Sequence, residues 1–268
     1  MKEEKPRLTQ RKKTIVISLI VLVFLILGGT GLYFFTDIFV DDSKPLKIGY
    51  SNYPYPPLHY YDDKRQLMGF DIDLARAAAE IMGAEIEFVP INWYENEDML
   101  ISKEVDMLWG GLETNSLDSA KIKFTSPYLS SDIILLMKED RNYKKPEDLQ
   151  GLNVCALNYT PAYFYLRDNR AELIKSARSS TPPEYENLSL FMSTGESDCM
   201  ITDTSFASFF KKQNNDISYK TSAPVKESDY AVAVRAKDRK LLTRLQSALS
   251  ALEADGTVDR LKAKWIGD

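Results

Sequence analysis

The 268-residue sequence has few of the residues that build metal, redox or nucleotide sites. One histidine, His59, and two cysteines, Cys155 and Cys199, are too few for a histidine-rich metal site or a zinc ribbon. The cysteines lie far apart in the chain, which excludes a C-x-x-C redox pair. Neither a GxxxxGK phosphate loop nor a GxGxxG dinucleotide loop occurs. We therefore expect neither a metal ion nor a cofactor.

Positive charge is also scarce over most of the chain. The net charge is −5, which argues against a nucleic-acid-binding protein. Residues 1–13 nevertheless carry six basic and two acidic side chains, a net of +4, so all later residues together carry −9. Hydrophobic residues make up 44% and charged residues 27% of the sequence, which is typical of a folded globular protein.

One long uncharged stretch follows the basic residues. The 22 residues 14–35 (TIVISLIVLVFLILGGTGLYFF) are enough to cross a hydrocarbon core of about 30 Å as a helix. The preceding basic residues place the N-terminus in the cytoplasm. A cleaved signal peptide is the alternative, but its apolar region would be about 7 to 15 residues long and followed by a small-residue cleavage site. We expect an uncleaved single-pass anchor in the cell membrane, a cytoplasmic tail at 1–13, a linker at 36–44 and an extracellular domain.

Strand and helix patterns alternate from residue 45 onward, which predicts an α/β fold with mostly parallel sheets covered on both faces. Strands are predicted at residues 46–50, 85–89, 105–109, 130–137, 152–157, 174–179, 199–202 and 228–234. Helices are predicted at residues 70–82, 96–102, 161–168, 184–194, 238–253 and 257–265. The acids Asp71 and Asp73 suit the positive end of the first of these helices, and we expect them to lie outside any ligand site.

Four stretches of sequence, in this order, carry a resemblance to a known family. They are YPPL at 55–58 with MGFDIDLA at 68–75, VD at 105–106 leading through GG at 110–111 to FTSPY at 124–128, the strand from Leu152 with DCMITD at 198–203, and YAVAVR at 230–235 with DGT at 255–257. Over roughly residues 45–267 the chain resembles the extracytoplasmic solute-binding proteins of polar amino-acid ABC transporters, family 3.

The resemblance implies a two-lobed fold of the periplasmic-binding-protein-like type II class with a cleft between the lobes. We expect residues 45–131 and 229–268 to form lobe 1 and residues 132–228 to form lobe 2. The implied function is capture of an amino acid or small amine by hinge closure, followed by delivery to an ABC permease in the membrane. We expect a monomer without catalytic residues. The alternatives are a sensory or degenerate module that contacts a membrane partner and, more remotely, a dehydratase-like enzyme.

On the lobe 1 side, the family's carboxylate-binding arginine is missing. It stands six positions before the phenylalanine of the FTSPY stretch, where this sequence has Asp118. The family's serine or threonine five positions earlier is Glu113, in the same loop as Gly111, and we include all three residues among the predicted ligand contacts. An aspartate cannot form the forked bond that an arginine makes to a carboxylate.

On the lobe 2 side, Asp203 matches the family aspartate that binds the ligand ammonium, although it could instead cap the following helix. Thr160 could offer its hydroxyl to the ligand or cap a helix. Tyr55 matches the aromatic residue that stacks on the ligand side chain. Trp93 either lines the cleft or covers a sheet edge.

Aromatic residues together with Glu113, Asp118 and Asp203 predict an anionic cleft that would hold a cationic ligand. The alternative is that Glu113 and Asp118 are solvent-facing acids at helix starts. For Cys155 and Cys199, both buried thiols and a cross-strand disulfide fit the pattern.

Overall fold

A computed structural model describes residues 44–114, 116–118, 120–169, 178–180 and 186–267. Residues 45–268 form one compact unit. The expected tail and anchor, and nearly all of the expected linker, lie outside the described residues. Within the described part of the chain, no helix is both long and apolar enough to cross a membrane.

The first part of the described chain alternates short strands with two helices. In order these are β1 (Leu46–Ser51), β2 (Tyr60–Tyr61), β3 (Leu67–Met68), α1 (Phe70–Met82), β4 (Ile86–Ile91), α2 (Asn96–Ile101), β5 (Met107–Leu108), β6 (Ile122–Phe124) and β7 (Leu129–Ser130). The predicted bounds of α1 are confirmed. The helix ends because Gly83 adopts the left-handed conformation, with a φ of 61°.

The remaining elements follow the same alternation. They are β8 (Ile133–Lys138), β9 (Asn153–Cys155), α3 (Pro161–Asp168), β10 (Arg178–Ser180), α4 (Glu186–Thr194), β11 (Cys199–Asp203), α5 (Thr204–Gln213), β12 (Tyr219–Thr221), β13 (Asp229–Tyr230), β14 (Ala233–Arg235), α6 (Arg239–Ala254) and α7 (Thr257–Trp265). The starts of the predicted strand 174–179 and helix 184–194 lie outside the described residues.

Two five-stranded sheets form among the described residues, one in each lobe. Their strand orders are β4-β1-β5-β14-β6 and β10-β9-β11-β8-β12. Three neighbouring strands in each sheet are parallel, namely β4, β1 and β5 in one and β10, β9 and β11 in the other. By contrast, β14 and β8 run antiparallel to both of their neighbours. Four of the five strands in each sheet therefore point the same way, and the expectation of mostly parallel sheets holds except at β14 and β8. β8 and β14 run in the opposite direction because each enters its lobe from a crossing. Each therefore begins at the sheet edge where the parallel strands end.

The two crossings between the lobes pair with each other. β7 and β13 form a short antiparallel ribbon, with Ser130 opposite Asp229 and Leu129 opposite Tyr230. The strands predicted to run without interruption over 130–137 and 228–234 are therefore each divided into two short strands at the crossing. Ser131 and Tyr230, both fully buried, lie on this ribbon or directly beside it.

Cys155 and Cys199 are buried free thiols on neighbouring strands. Across the β9–β11 pair, Cys199 lies opposite Val154, and Cys155 lies opposite Met200. Because successive residues of a strand point to opposite faces, the two thiols lie on opposite sides of the sheet. This register explains why the cross-strand disulfide does not form.

Candidate functional site

A cleft of about 680 Å³ separates parts of the two lobes. Its first-lobe wall includes Trp93, Gly111 and Glu113, and its second-lobe wall includes Phe164 and Arg167. Trp93 belongs to a single 3-10 turn after β4, capped by the side chain of the preceding asparagine. Trp93 is 4% exposed, so it lines the cleft while packing into the first-lobe core.

Asp203 is fully buried at the end of β11 and is not among the residues that line the cleft. Its Oδ1 accepts the backbone N–H of Phe206 at 3.0 Å, which makes it the cap of α5, and also the hydroxyl of Ser131 at 2.7 Å. Its Oδ2 accepts the hydroxyl of Tyr55 at 2.5 Å. Burial raises the pKa of the Asp203 carboxyl, while these donors oppose the rise. Both carboxylate oxygens therefore have partners within the protein.

Tyr55 connects the two lobes at this point. Besides its bond to Asp203, its hydroxyl lies 3.0 Å from the Tyr230 hydroxyl. Its ring packs on Gly111, where an added Cβ would come within 2.6 Å of the ring. The structure thus brings Tyr55, Gly111 and Asp203, three of the predicted ligand contacts, into contact with one another, and of these three only Gly111 lines the cleft.

Asp71 holds the Gly111 loop against the start of α1. Its Oδ2 accepts the backbone N–H of Gly111 at 2.8 Å, and the residue is 1% exposed. Burial raises the pKa of the Asp71 carboxyl to about 7. The sequence alone indicated only that Asp71 suits the helix start, although an acid among the apolar residues of a buried helix face is a signal of a specific partner.

Thr160 uses its hydroxyl to begin α3. Its Oγ1 accepts the backbone N–H of Tyr163 at 3.2 Å and donates to the carbonyl oxygen of Leu157 at 2.8 Å. The side chain is 2% exposed, which agrees with the capping alternative.

The two acids of the first-lobe loop have different surroundings. The Glu113 carboxylate is 19% exposed and lies 2.5 Å from the Nζ of Lys226, on the segment that returns toward the first lobe. Asp118 is 43% exposed, lies 3.7 Å from the Lys121 Nζ, and accepts the backbone N–H of Ala120. The structure therefore brings Glu113 to the cleft and leaves Asp118 on the surface of the first lobe.

A cluster of tyrosines bridges the lobes at the cleft. The rings of Tyr53 and Tyr159 stack with centroids 3.8 Å apart, and the Tyr159 hydroxyl donates to that of Tyr53 at 3.2 Å. The hydroxyls of Tyr94 and Tyr163 are 2.9 Å apart. Tyr159 has a φ of 63°, a left-handed conformation that glycine adopts more readily than any other residue. Its ring thus joins the second lobe to Tyr53 of the first lobe.

Sequence reasoning missed Ser131, Tyr230 and Lys226. Ser131 and Tyr230 lie at the two crossings, and no local pattern predicted that these crossings pair with each other. Lys226 is an ordinary lysine in a polar stretch, and only the return of the chain beside β8 brings it to Glu113. The backbone N–H of Lys226 donates to the carbonyl of Ile133 within this return segment.

Comparisons with known proteins agree with this architecture. Residues 46–268 match the family described as bacterial extracellular solute-binding proteins, family 3. ABC transporter arginine-binding protein 1 of Escherichia coli K12 is 28% identical over 217 residues, covering 79% of this chain and 87% of that protein. L-cystine-binding protein TcyJ of the same strain is 27% identical over 215 residues, covering 80% and 79%. The crystal structure of the ancestral amino acid-binding protein AncCDT-1, described as a precursor of cyclohexadienyl dehydratase, superimposes with a TM-score of 0.72 at 26% identity, covering 85% of this chain and 97% of that one.

Proposed function

The chain belongs to family 3 of the bacterial extracellular solute-binding proteins, and we propose that it is the extracytoplasmic substrate-binding component of an ABC importer. The observation that carries this proposal is the cleft between two lobes that are joined by a paired two-strand crossing. Such a crossing allows the lobes to close on a ligand by a hinge motion. Relatives named for arginine and cystine binding support an amino acid as the ligand.

Residues 14–35 would anchor the protein beside the permease that receives the ligand. This part of the proposal rests on the length of the uncharged stretch and on the basic residues before it. A variant with residues 1–35 deleted should move from the membrane fraction to the soluble fraction. If the full-length chain is already soluble without detergent, the anchor is refuted.

The proposal assigns no catalytic role to the buried acids, because both are hydrogen-bonded within the fold. Asp203 is bonded to Tyr55, Ser131 and a helix start, and Asp71 is bonded to the Gly111 loop. The one histidine, His59, is 1% exposed, and its Nε2 lies 3.2 Å from the carbonyl oxygen of Tyr53. None of these groups is presented to the cleft as a general acid or base.

Thermal unfolding of the full-length chain, purified in detergent and followed by tryptophan fluorescence, tests the function. The panel contains the twenty L-amino acids, L-cystine, polyamines and choline. A ligand at about 100 times its Kd stabilises the folded state by about 2.7 kcal/mol. For a chain of this size we expect Tm to rise by about 5 to 10 °C.

At least one amino acid should produce this shift. A shift with polyamines or choline alone would replace the amino acid by a cationic amine as the ligand. If no compound changes Tm at millimolar concentration, the transport function is refuted and the chain is better described as a partner-binding or sensory module.

A further inference from the structure

Two ion pairs face the cleft, and together they make its described charged lining neutral. The pairs are Glu113 with Lys226, and Arg167 with Asp168. Arg167 and Asp168 are 46% and 61% exposed, and the guanidinium also lies 4.8 Å from the centre of the Phe164 ring. The Glu113–Lys226 pair is more buried and joins the first lobe to the segment returning from the second. The lining therefore does not match the anionic cleft that the sequence predicted.

Glu113 is held firmly on the first-lobe side of its pair. Its backbone forms an antiparallel bridge with Tyr230 of the crossing, and the next residue donates its N–H to the carbonyl of Asp229. Lys226 is held by its own backbone bond to Ile133, at the start of β8. Two oppositely charged groups are thus fixed on either side of the crossing, with side chains that reach into the cleft.

We propose that the Glu113–Lys226 pair is the recognition site for the α-ammonium and α-carboxylate of a zwitterionic amino acid. The ligand carboxylate bonds to the Lys226 ammonium, and the ligand ammonium bonds to the Glu113 carboxylate. One internal ion pair is exchanged for two ion pairs with the ligand, so no charge is left unpaired. Lys226 thereby supplies the cation that the sequence lacks at Asp118. This inference rests on the proposed function.

The aromatic side chains beside the pair would receive the rest of the ligand. Trp93 and Tyr94 stand on the first-lobe wall, and Phe164 stands on the second. Flat rings accept apolar, aromatic and cationic side chains, so the pair fixes the ligand class and the aromatic walls select within it. The ligand must therefore carry both α-groups.

The decisive experiment compares each amino acid that raises Tm with its decarboxylated amine, using calorimetric titration of the full-length chain. The variants are Lys226→Met and Glu113→Gln, with Lys121→Met as the matched control. Lys121 also lies beside a carboxylate, Asp118, but on the surface of the first lobe and not among the cleft-lining residues. Circular dichroism and the Tm without ligand verify that each variant folds.

We expect the amine to bind the unmodified chain at least tenfold more weakly than the amino acid. Lys226→Met should weaken amino acid binding at least tenfold and amine binding less than twofold, because the amine has no carboxylate for Lys226 to hold. Glu113→Gln should weaken both ligands, and Lys121→Met neither.

Two outcomes would overturn the inference while leaving the proposed function intact. One is equal binding of an amino acid to the unmodified chain and to Lys226→Met. The other is an equal loss for amino acid and amine in Lys226→Met, which would show that the lysine only supports closure. Binding of polyamines or choline without any amino acid would also overturn the inference and leave the function, whereas absence of binding by every compound of the panel refutes the proposed function itself.

Discussion

Gly111 has a left-handed backbone and a close contact with Tyr55, so replacing it should destabilise the protein by two separate mechanisms. Its φ is 63°, and a non-glycine residue in this conformation costs about 1 to 2 kcal/mol. An added Cβ would lie 2.6 Å from the Tyr55 ring, so the ring must move. That movement breaks the Tyr55–Asp203 hydrogen bond, whose acceptor is fully buried. Loss of a bond to such a group costs about 1.5 to 3 kcal/mol.

We therefore predict that Gly111→Ala lowers the free energy of unfolding by about 2.5 to 5 kcal/mol, the sum of these two ranges. Urea denaturation followed by tryptophan fluorescence measures the change. Gly83→Ala is the matched control, because its φ is 61° but an added Cβ would meet no described atom within 4 Å. It should lose only the backbone part, about 1 to 2 kcal/mol. Equal losses in the two variants would refute the reasoning.

Three further predictions concern buried charged or ionisable groups. Arg235 donates hydrogen bonds to the carbonyl oxygens of Leu100 and Val105 and to the carboxylate of Asp106. Arg235→Met should therefore lower the free energy of unfolding, measured in urea, by about 3 to 5 kcal/mol. The exposed control Lys121→Met should lower it by at most about 1 kcal/mol. Burial raises the pKa of Asp71 from 3.8 to about 7, so between these pH values the native state binds more protons than the unfolded state and its stability falls as pH rises. Urea titrations should show that the stability of Asp71→Asn relative to the unmodified chain grows by at most about 4 kcal/mol across this pH range. A difference that does not change with pH would contradict this prediction. Burial lowers the pKa of His59 to about 4. In an NMR pH titration of the untagged protein, the chemical shift of the single histidine should therefore change only below pH 5. A midpoint near pH 6.5 would show that the ring is hydrated.

Local signals were sufficient to predict several elements of the fold. The observed bounds of α1, α3 and α7 match the predicted residues 70–82, 161–168 and 257–265. Each has a stop or start that acts within a few residues, such as the left-handed Gly83 or the proline that begins α3. The two-lobed fold followed from the two series of alternating strands and helices together with the resemblance. The antiparallel direction of β8 and β14 did not follow from any local pattern, because it depends on where the chain crosses between the lobes.

The site was predictable only where a residue matched a family position. Tyr55, Gly111 and Asp203 are brought together, but the sequence could not reveal that Asp203 already accepts bonds from Tyr55 and Ser131. Ser131 lies far from Asp203 along the chain and reaches it because β8 pairs with β11, which places Ile133 opposite Asp203. The sequence could not indicate a role for Lys226 either, because only the return segment brings its charge beside Glu113.

The difference in burial between Asp203 and the Glu113–Lys226 pair decides which of them a ligand exchanges more readily. An ammonium that binds Asp203 must displace the Tyr55 hydroxyl at a carboxylate with 0% exposure. At the pair, side chains that are 19% and 40% exposed already meet water, and a zwitterion replaces each charge with one of the same sign. Desolvation of an unpaired charge is the larger cost in a buried site. The ligand ammonium predicted for Asp203 therefore has a more accessible partner in Glu113, and Asp203 is better suited to holding the lobes together through Tyr55.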